Sequence, residues 1–533
     1  MNNLTTQART SLKRYLPVLL GACVLIPHAL YFDFLTDDAY ISFRYARNLA
    51  EHGELVFNLG ERVEGYTNFL WTILLALGMK LGVGPEISSR VLGVVFGVGG
   101  LAVVTRLSLR LDDEQPRPGH FIAPVALAAT SAYACWTTGG LETQLFTFLF
   151  LLGTERYLHE TLRFAGFQSS FYFGLASLTR PEGPMFFCLA AAFRFGHNLF
   201  SQKRWRPTRD EWLWLAIFTA IFVPYVLWRI SYYGHPFPNT YYVKASGNAT
   251  GSLKMGLYYL RRFAEDHTLW FWVPFIVAGW PRAGNTHRRL LFEWSLLVAV
   301  VFCLYVAKVG GDFMGLYRFV LPLIPLGAIL VQEAARNLAG RLTPLVPRAA
   351  LAVVGLTLFA GHVIGSMHTS HQAATLIGAD NGIDTPGYLK FYADERVPIG
   401  RWFGQHARPD DLMTLGGAGV IAYYSMIPGY DVFGLVDETI AHDATMTHGA
   451  RPGHQKWGTD AYMVSRRPTL ITHYYRIHEN HAPDPDYWRQ LGYAWVTATI
   501  PGLADPPLYS FLKRVDRSFG PLPASADGNS QRP

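Results

Sequence analysis

Eleven runs of mostly apolar residues set the terms on which this chain can fold; they lie near 15–32, 88–107, 121–137, 143–158, 168–180, 183–197, 212–232, 268–281, 290–308, 316–333 and 349–365. A helix needs close to 20 apolar residues to cross about 30 Å of hydrocarbon, and several of these runs reach that length while others fall short. With 50% hydrophobic and only 16% charged residues, the chain is too apolar for one soluble domain. Helices satisfy their own backbone polar groups in lipid. The sequence therefore predicts an α-helical polytopic membrane protein with about eleven transmembrane helices.

Basic residues mark one side. Arg9, Lys13 and Arg14, the segments 106–120, 155–164, 201–209 and 281–289, and Arg336, Arg341 and Arg348 all fall between apolar runs. Placing them in the cytoplasm gives an alternation that closes without conflict. One further run, "YTNFLWTILLALGMKLG" at 66–82, would break that parity, and its polar start suits a helix at or dipping into the outer interface. The first apolar run lacks a small-residue cleavage site, which implies an uncleaved first helix. The net charge of +7 is accounted for by these loops, so no nucleic-acid partner is implied. Cys23, Cys135, Cys188 and Cys303 lie inside apolar segments without metal-ligand spacing and read as small buried hydrophobes.

After about residue 366 the pattern changes. "RPDDLMTLGGAGVIAYYSMIPGYDVFGLVDETIA" alternates short apolar runs with Gly and Pro turns, and "YWRQLGYAWVTATI" reads as helix then strand. The expectation is a membrane domain over 1–365 and a soluble α/β or α+β domain over 366–533 on the outer side, with a polar tail beyond 520.

The informative polar residues converge on that outer side. "FLTDDAYISFRYARNL" at 34–49 places Asp37 and Asp38 directly after the first apolar run. Locally this is a helix start, with Thr36 as cap and two acids favoured by the dipole. Idle charge is costly at a membrane surface, however, and Asp37, Tyr40, Arg44 and Arg47 share one helical face, while Ile41, Tyr45 and Leu49 form an apolar face suited to the membrane. Other outer loops add Glu142 in "GGLETQ", Arg180 and Glu182 in "TRPEG", Asp312 and Arg318 in "GGDFMGLYR", and His235, Asn239, Tyr241, Tyr242 and Lys244 in a Pro- and Gly-rich loop. Each has a bland reading as a cap or local ion pair. Together they describe a mixed-charge pocket at the interface.

Such a pocket suits transfer from a lipid-linked phosphosugar. Arg and Lys hold the phosphate while a carboxylate takes the proton of an attacking hydroxyl. A cation at the leaving oxygen stabilises the transition state more than the ground state. A divalent metal bridged by acids would do the same work. No Gly-rich phosphate loop for a soluble nucleotide is seen. A transporter or flippase of a lipid-linked sugar is the alternative class, but it would place polar residues at the midplane and show paired halves.

With these residues in view, the chain resembles the GT-C membrane glycosyltransferases, and "DDAYISFRYARNLAEHGELVFNLGERVEGYTNFLW" is similar to the opening of the terminal β-(1→2)-arabinofuranosyltransferase family. Protein O-mannosyltransferases and the lipid A aminoarabinose transferases share the superfamily. The resemblance implies a GT-C fold and an inverting transfer of a sugar, arabinofuranose above others, from a polyprenyl-phosphate donor to a cell-envelope glycan acceptor. It implies a monomer in the bacterial inner membrane, in contact with membrane lipid, with its site facing the periplasm. Carried over by position, Asp37 is the base and Asp38 its assistant. Arg44, Arg180, Lys244, Arg318 and His235 would bind donor phosphate, and Glu142, Glu64, Tyr66, Asn68, Asn239, Tyr241 and Asp312 would support acceptor or metal. Asp37 and Glu142 would hold any Mg2+ or Mn2+. Because the mannosyltransferases have Asp-Glu where this chain has Asp-Asp, the division of labour within the pair stays open.

Overall fold

The computed structural model describes residues 2–112, 117–163, 166–245, 249–282, 284–447, 449, 451–480 and 482–517. The polar tail beyond 520 and parts of the 106–120 and 155–164 segments lie outside them. All eleven apolar runs are helical in whole or large part. Among the described residues, five helices are alone long and apolar enough to cross a membrane: Arg14–Phe32, Pro85–Arg110, Arg209–Tyr233, Thr286–Val309 and Arg348–Thr375. The pair Pro118–Ala129 and Ser131–Thr138, bent by 58°, makes a sixth. Thr143–Arg163, Gln168–Thr179, Gly183–Gln202, Leu269–Ala278 and Leu323–Leu342 account for the other runs. The run at 316–333 begins as a turn, and its helix starts only at Leu323, after Arg318.

The extra run at 66–82 forms a helix only over Phe69–Lys80, 12 residues. At 1.5 Å per residue that is about 18 Å, too short to cross. Cys135 is buried, but Cys23 and Cys188 are exposed on the outer surface of their helices. An apolar helix turns part of its surface to lipid, and a small hydrophobe is as comfortable there as in a core.

The chain between the first two long helices is where local sequence and tertiary packing meet. Asp37–His52 forms a helix with both acids in its first turn, and Gly53 ends it in the left-handed conformation at φ 76°, donating its N–H to the Leu49 carbonyl. Its apolar face does not lie on the membrane. Ile41 and Tyr45, with Leu55, Phe57 and Tyr66, form a common core with Ile399, Trp402, Phe403, Met413 and Leu415 of the C-terminal region. A sheet face offers these side chains closer packing than lipid, at about 1.5–3 kcal/mol per large apolar group removed from water.

The C-terminal region is built on a five-stranded sheet in the order Gly429–Asp431, Met413–Leu415, Leu470–Ile477, Leu508–Arg514, Tyr493–Thr499. The first three strands are parallel and the last two antiparallel to their neighbours. "YWRQLGYAWVTATI" is helix Pro485–Gln490 followed by strand Tyr493–Thr499, as its pattern predicts. The helix Arg348–Thr375 runs on past residue 365, because its last turns are polar and hydropathy falls before the helix ends.

Candidate active site

The two aspartates of the pair part company at once. Asp37 accepts hydrogen bonds from the backbone N–H groups of Gly419, 3.2 Å, and Val420, 2.8 Å, at the start of the short helix Val420–Ser425. It is therefore the cap of a helix more than 380 residues away. A Cβ on Gly419 would overlap the Asp37 carbonyl oxygen, so this approach requires glycine. Burial raises the Asp37 carboxyl above its ordinary range, while the two amides and the Arg396 guanidinium act against it.

Asp38, partly buried, has no hydrogen-bond partner among the described residues. Burial pushes its carboxyl up to about 7; Arg318 and Lys244 pull it down, and Asp37 and Asp312 add to the rise. It is an open carboxylate facing cations, poised to exchange a proton near neutral pH.

The cations are held from behind. Arg318 gives its Nε to Asp312 Oδ2 at 2.7 Å and lies 5.5 Å over the Trp136 ring, leaving its terminal nitrogens without a hydrogen-bond partner among the described residues. It follows two successive left-handed residues, Leu316 at φ 52° and Tyr317 at φ 55°, a conformation that costs a non-glycine residue about 1–3 kcal/mol. Trp136 Nε1 donates to the Leu316 carbonyl at 3.1 Å, and Tyr317 packs on Tyr259 and Phe263, which holds the turn. Lys244 stands near the end of helix Asn239–Ala245, within electrostatic reach of Asp312, Arg318, Arg180 and Glu182; desolvation by the surrounding protein lowers its ammonium, with Asp312 acting in the other direction.

Behind this open group sits a closed one. Glu142 is buried and accepts from Arg180 Nη1 at 2.6 Å and from Asn68 Nδ2 at 2.8 Å. Arg180 also pairs with Glu182 through Nε at 3.0 Å, and Asn68 is bonded to Ser42 on the helix that begins with the acidic pair. Gly140, at φ 82°, packs against Ala39 and Leu35, and its carbonyl accepts from Trp71. That contact brings the "TTGGLETQ" loop under the start of the Asp37–His52 helix. Glu142 and Arg180 thus form a floor.

Several expected residues are spent elsewhere. Arg44, expected at a donor phosphate, is buried and gives its guanidinium to the carbonyls of Phe57, 2.8 Å, Ala422, 2.6 Å, and Ile427, 2.9 Å, and to Asn58 at 3.2 Å. Four of its five N–H groups are used, so it staples the first loop to the C-terminal region. Glu64 pairs with Arg229 at 3.0 Å, and burial lifts its carboxyl to about 7 against that pull. Tyr66 lies between Tyr45 and Tyr233. Asn239 donates to the carbonyls of Gly434, Leu435 and Asp437. Tyr241 is exposed and stacks on Phe237. His235 Nε2 meets Glu438 Oε1 at 2.7 Å instead of an outer-face phosphate subsite beside Arg318.

The expected metal pair fares differently from the base. Asp37 is occupied by two amides and Glu142 by two side-chain donors, and among the described residues they do not belong to a cluster able to hold a metal; His235, Glu438 and His442 do. Sequence reasoning missed the C-terminal contribution altogether: the amides of Gly419 and Val420, and Arg396 stacked 3.3 Å over Tyr392 beside Asp37. A signal for the amides existed. "TLGGAGVIAYY" is a strand, a Gly-rich turn and a helix start, the arrangement that binds anions, and here the anion is the protein's own Asp37. Nothing in the sequence around Arg396 marks it.

The fold these elements make is shared with solved membrane-protein structures. It matches ArnT from Cupriavidus metallidurans bound to undecaprenyl phosphate over 93% of this chain and 97% of that one, with a TM-score of 0.58 at 13% identity. The oligosaccharyltransferase of Archaeoglobus fulgidus, solved with Zn and sulfate, matches over 77% of this chain and 62% of its own, with a TM-score of 0.51 at 12% identity. In sequence, the chain is similar to terminal β-(1→2)-arabinofuranosyltransferases of Corynebacterium glutamicum, 26% identical over 57% of this chain, and of Mycobacterium tuberculosis, 26% identical over 62%. The chain spans 49% and 59% of the length of those two relatives. Residues 388–513 match a family described as a domain of unknown function, DUF8728.

Proposed function

We propose that this chain is an inverting glycosyltransferase that moves a sugar, arabinofuranose above others, from a polyprenyl phosphate to a glycan of the cell envelope. In this reading the long apolar helices cross the inner membrane, residues 1–365 form the catalytic membrane domain, and residues 366–533 lie with the site on the periplasmic side. The observation that carries it is the open Asp38 carboxylate, raised to about 7 and set against Arg318 and Lys244. The fold shared with an ArnT that holds undecaprenyl phosphate, and the arabinofuranosyltransferase relatives, support the choice of donor class and sugar.

The chemistry assigns the base to Asp38 rather than Asp37. As the acceptor hydroxyl oxygen bonds to the anomeric carbon, its proton passes to Asp38 and the bond from that carbon to the phosphate oxygen breaks on the opposite face. The electron pair leaves on the polyprenyl phosphate. Arg318 has free terminal nitrogens for that oxygen, and Lys244 adds a second charge; both meet more negative charge in the transition state than in the ground state. Asp37 takes no part in the proton transfer in this reading. It locks the C-terminal Gly-rich turn onto the site and keeps its neighbour's direction fixed.

The test is transfer by purified protein from synthetic polyprenyl phosphosugars, pentose and hexose, to an arabinan acceptor. Asp38→Asn is expected to abolish measurable transfer while Asp37→Asn keeps a fraction of it. Full activity in Asp38→Asn, or transfer from none of the donors by the unaltered protein, would sink the reading.

A further inference from the structure

Away from the aspartate pair, three side chains that the proposed reaction does not use come together between the loop after helix Arg209–Tyr233 and the C-terminal region. They are His235, Glu438 and His442. One nitrogen or oxygen from each lies within 4.8 Å of the other two, and His235 Nε2 is 2.7 Å from Glu438 Oε1. Two imidazoles and a carboxylate form a ligand set that zinc favours over the harder cations.

The geometry is imposed by backbone as well as by the side chains. Gly234 ends the long helix in the left-handed conformation and turns His235 away from it. Glu438 and His442 are one helical turn apart in the helix Glu438–His442, which Asp437 caps by accepting from the Ile440 amide at 2.9 Å. The Asn239 side-chain amide joins the two sides through the carbonyls of Gly434, Leu435 and Asp437, and the Asn239 N–H bonds the Glu64 carbonyl at 3.0 Å. The Tyr242 ring packs 4.0 Å from that of His442. All three ligands remain at least partly exposed, so an ion can enter from solvent.

We infer that His235, Glu438 and His442 bind one Zn2+ outside the active site, as a clasp between the 234–245 loop and the C-terminal region. Ligands at about 2.0–2.1 Å in a tetrahedron stand about 3.4 Å apart, so the cluster closes by roughly an ångström of side-chain rotation. Three protein ligands leave a fourth position for water. Binding energy at such a site adds to the stability of whatever it joins. The joined element here is the helix Asn239–Ala245.

The experiment uses the full-length protein in detergent, stripped with a chelator and titrated with Zn2+ alone. The expected result is one more high-affinity equivalent per chain than in the double variant His235→Ala/His442→Ala, a Zn2+-dependent rise in Tm seen only in the unaltered protein, and Co2+ absorption of tetrahedral intensity. Equal stoichiometry in the two proteins overturns the inference. Should the double variant fold poorly, Glu438→Gln decides: retained stoichiometry with unweakened affinity overturns the site, and weakened affinity supports it. None of these readouts depends on glycosyl transfer, so the clasp stands or falls apart from the proposed function.

Discussion

Both ends of the helical bundle bury acids among arginines, and they differ in how those acids are matched by cations. At the end opposite the aspartate pair, Asp112 contacts Arg288, 2.5 Å, and Arg336, and Glu333 takes Arg288 at 2.6 Å and Arg336 at 3.1 Å. Glu155 is likewise shared by Arg106, Arg110 and Arg156. Each acid there has two or more cations, and Arg288 and Arg106 carry bridges from one helix to another. At the other end, Glu142 and Glu182 share the one guanidinium of Arg180, while among the described residues the side chains of Asp38 and Lys244 stand without a hydrogen-bond partner and Arg318 uses only one edge. Buried charge by itself therefore does not mark a site. What marks it is charge that the fold has oriented and then not neutralised.

That contrast can be broken by substitution. Asp38→Asn removes the base without removing a hydrogen bond, so transfer should fall about 10³-fold with Tm unchanged, as a lost general base does. A Tm that falls along with the rate would make Asp38 a structural acid like Asp112. At the opposite end Asp112→Ala leaves two partly buried guanidiniums to share Glu333 alone, and unfolding should become easier by about 1–3 kcal/mol while transfer per folded molecule stays constant. Melting curves paired with turnover on the same sample separate these outcomes; a slow but stable Asp112→Ala protein would erase the difference between the two ends. Arg318→Gln keeps the Asp312 contact possible and deletes the charge, and should cost about 10²-fold in transfer from the phosphosugar donor. If the rate is unaffected, the leaving phosphate is stabilised by other groups.

The apolar helices were legible because hydropathy is a local signal that survives tertiary packing. The strand and helix pattern of "YWRQLGYAWVTATI" was legible for the same reason. The role of each aspartate was not: adjacent residues of one type look alike until the C-terminal amides of Gly419 and Val420 select one of them. Arg44 misled in the same manner. An arginine on the acidic face of an interfacial helix suggests phosphate, but carbonyls from residues 422 and 427 reach it first, and no local pattern announces contacts that span some 380 residues. Glu142 was read without its partner for a related reason, since the buried arginine at 2.6 Å comes from a loop 38 residues on.

The smallest effect sharpens the comparison most, because it reads the field at Asp38 directly. A base works only when ionised, and the Asp38 carboxyl is lifted to about 7, so the rate should rise with pH through an acidic limb near neutrality and level off above it. Arg318 is the cation that most favours the ionised form and Lys244 a weaker one. Removing either makes ionisation harder, which moves the limb to higher pH. Lys244→Met should therefore shift the limb upward, by less than Arg318→Gln does, in a pH profile of kcat/KM for the donor. A shift downward would mean that Lys244 does not face Asp38, and an unmoved limb in both variants would mean that the titrating base is another group. Asp112→Ala, at the saturated end, should leave the limb where it is, since no open carboxylate there takes part in proton transfer.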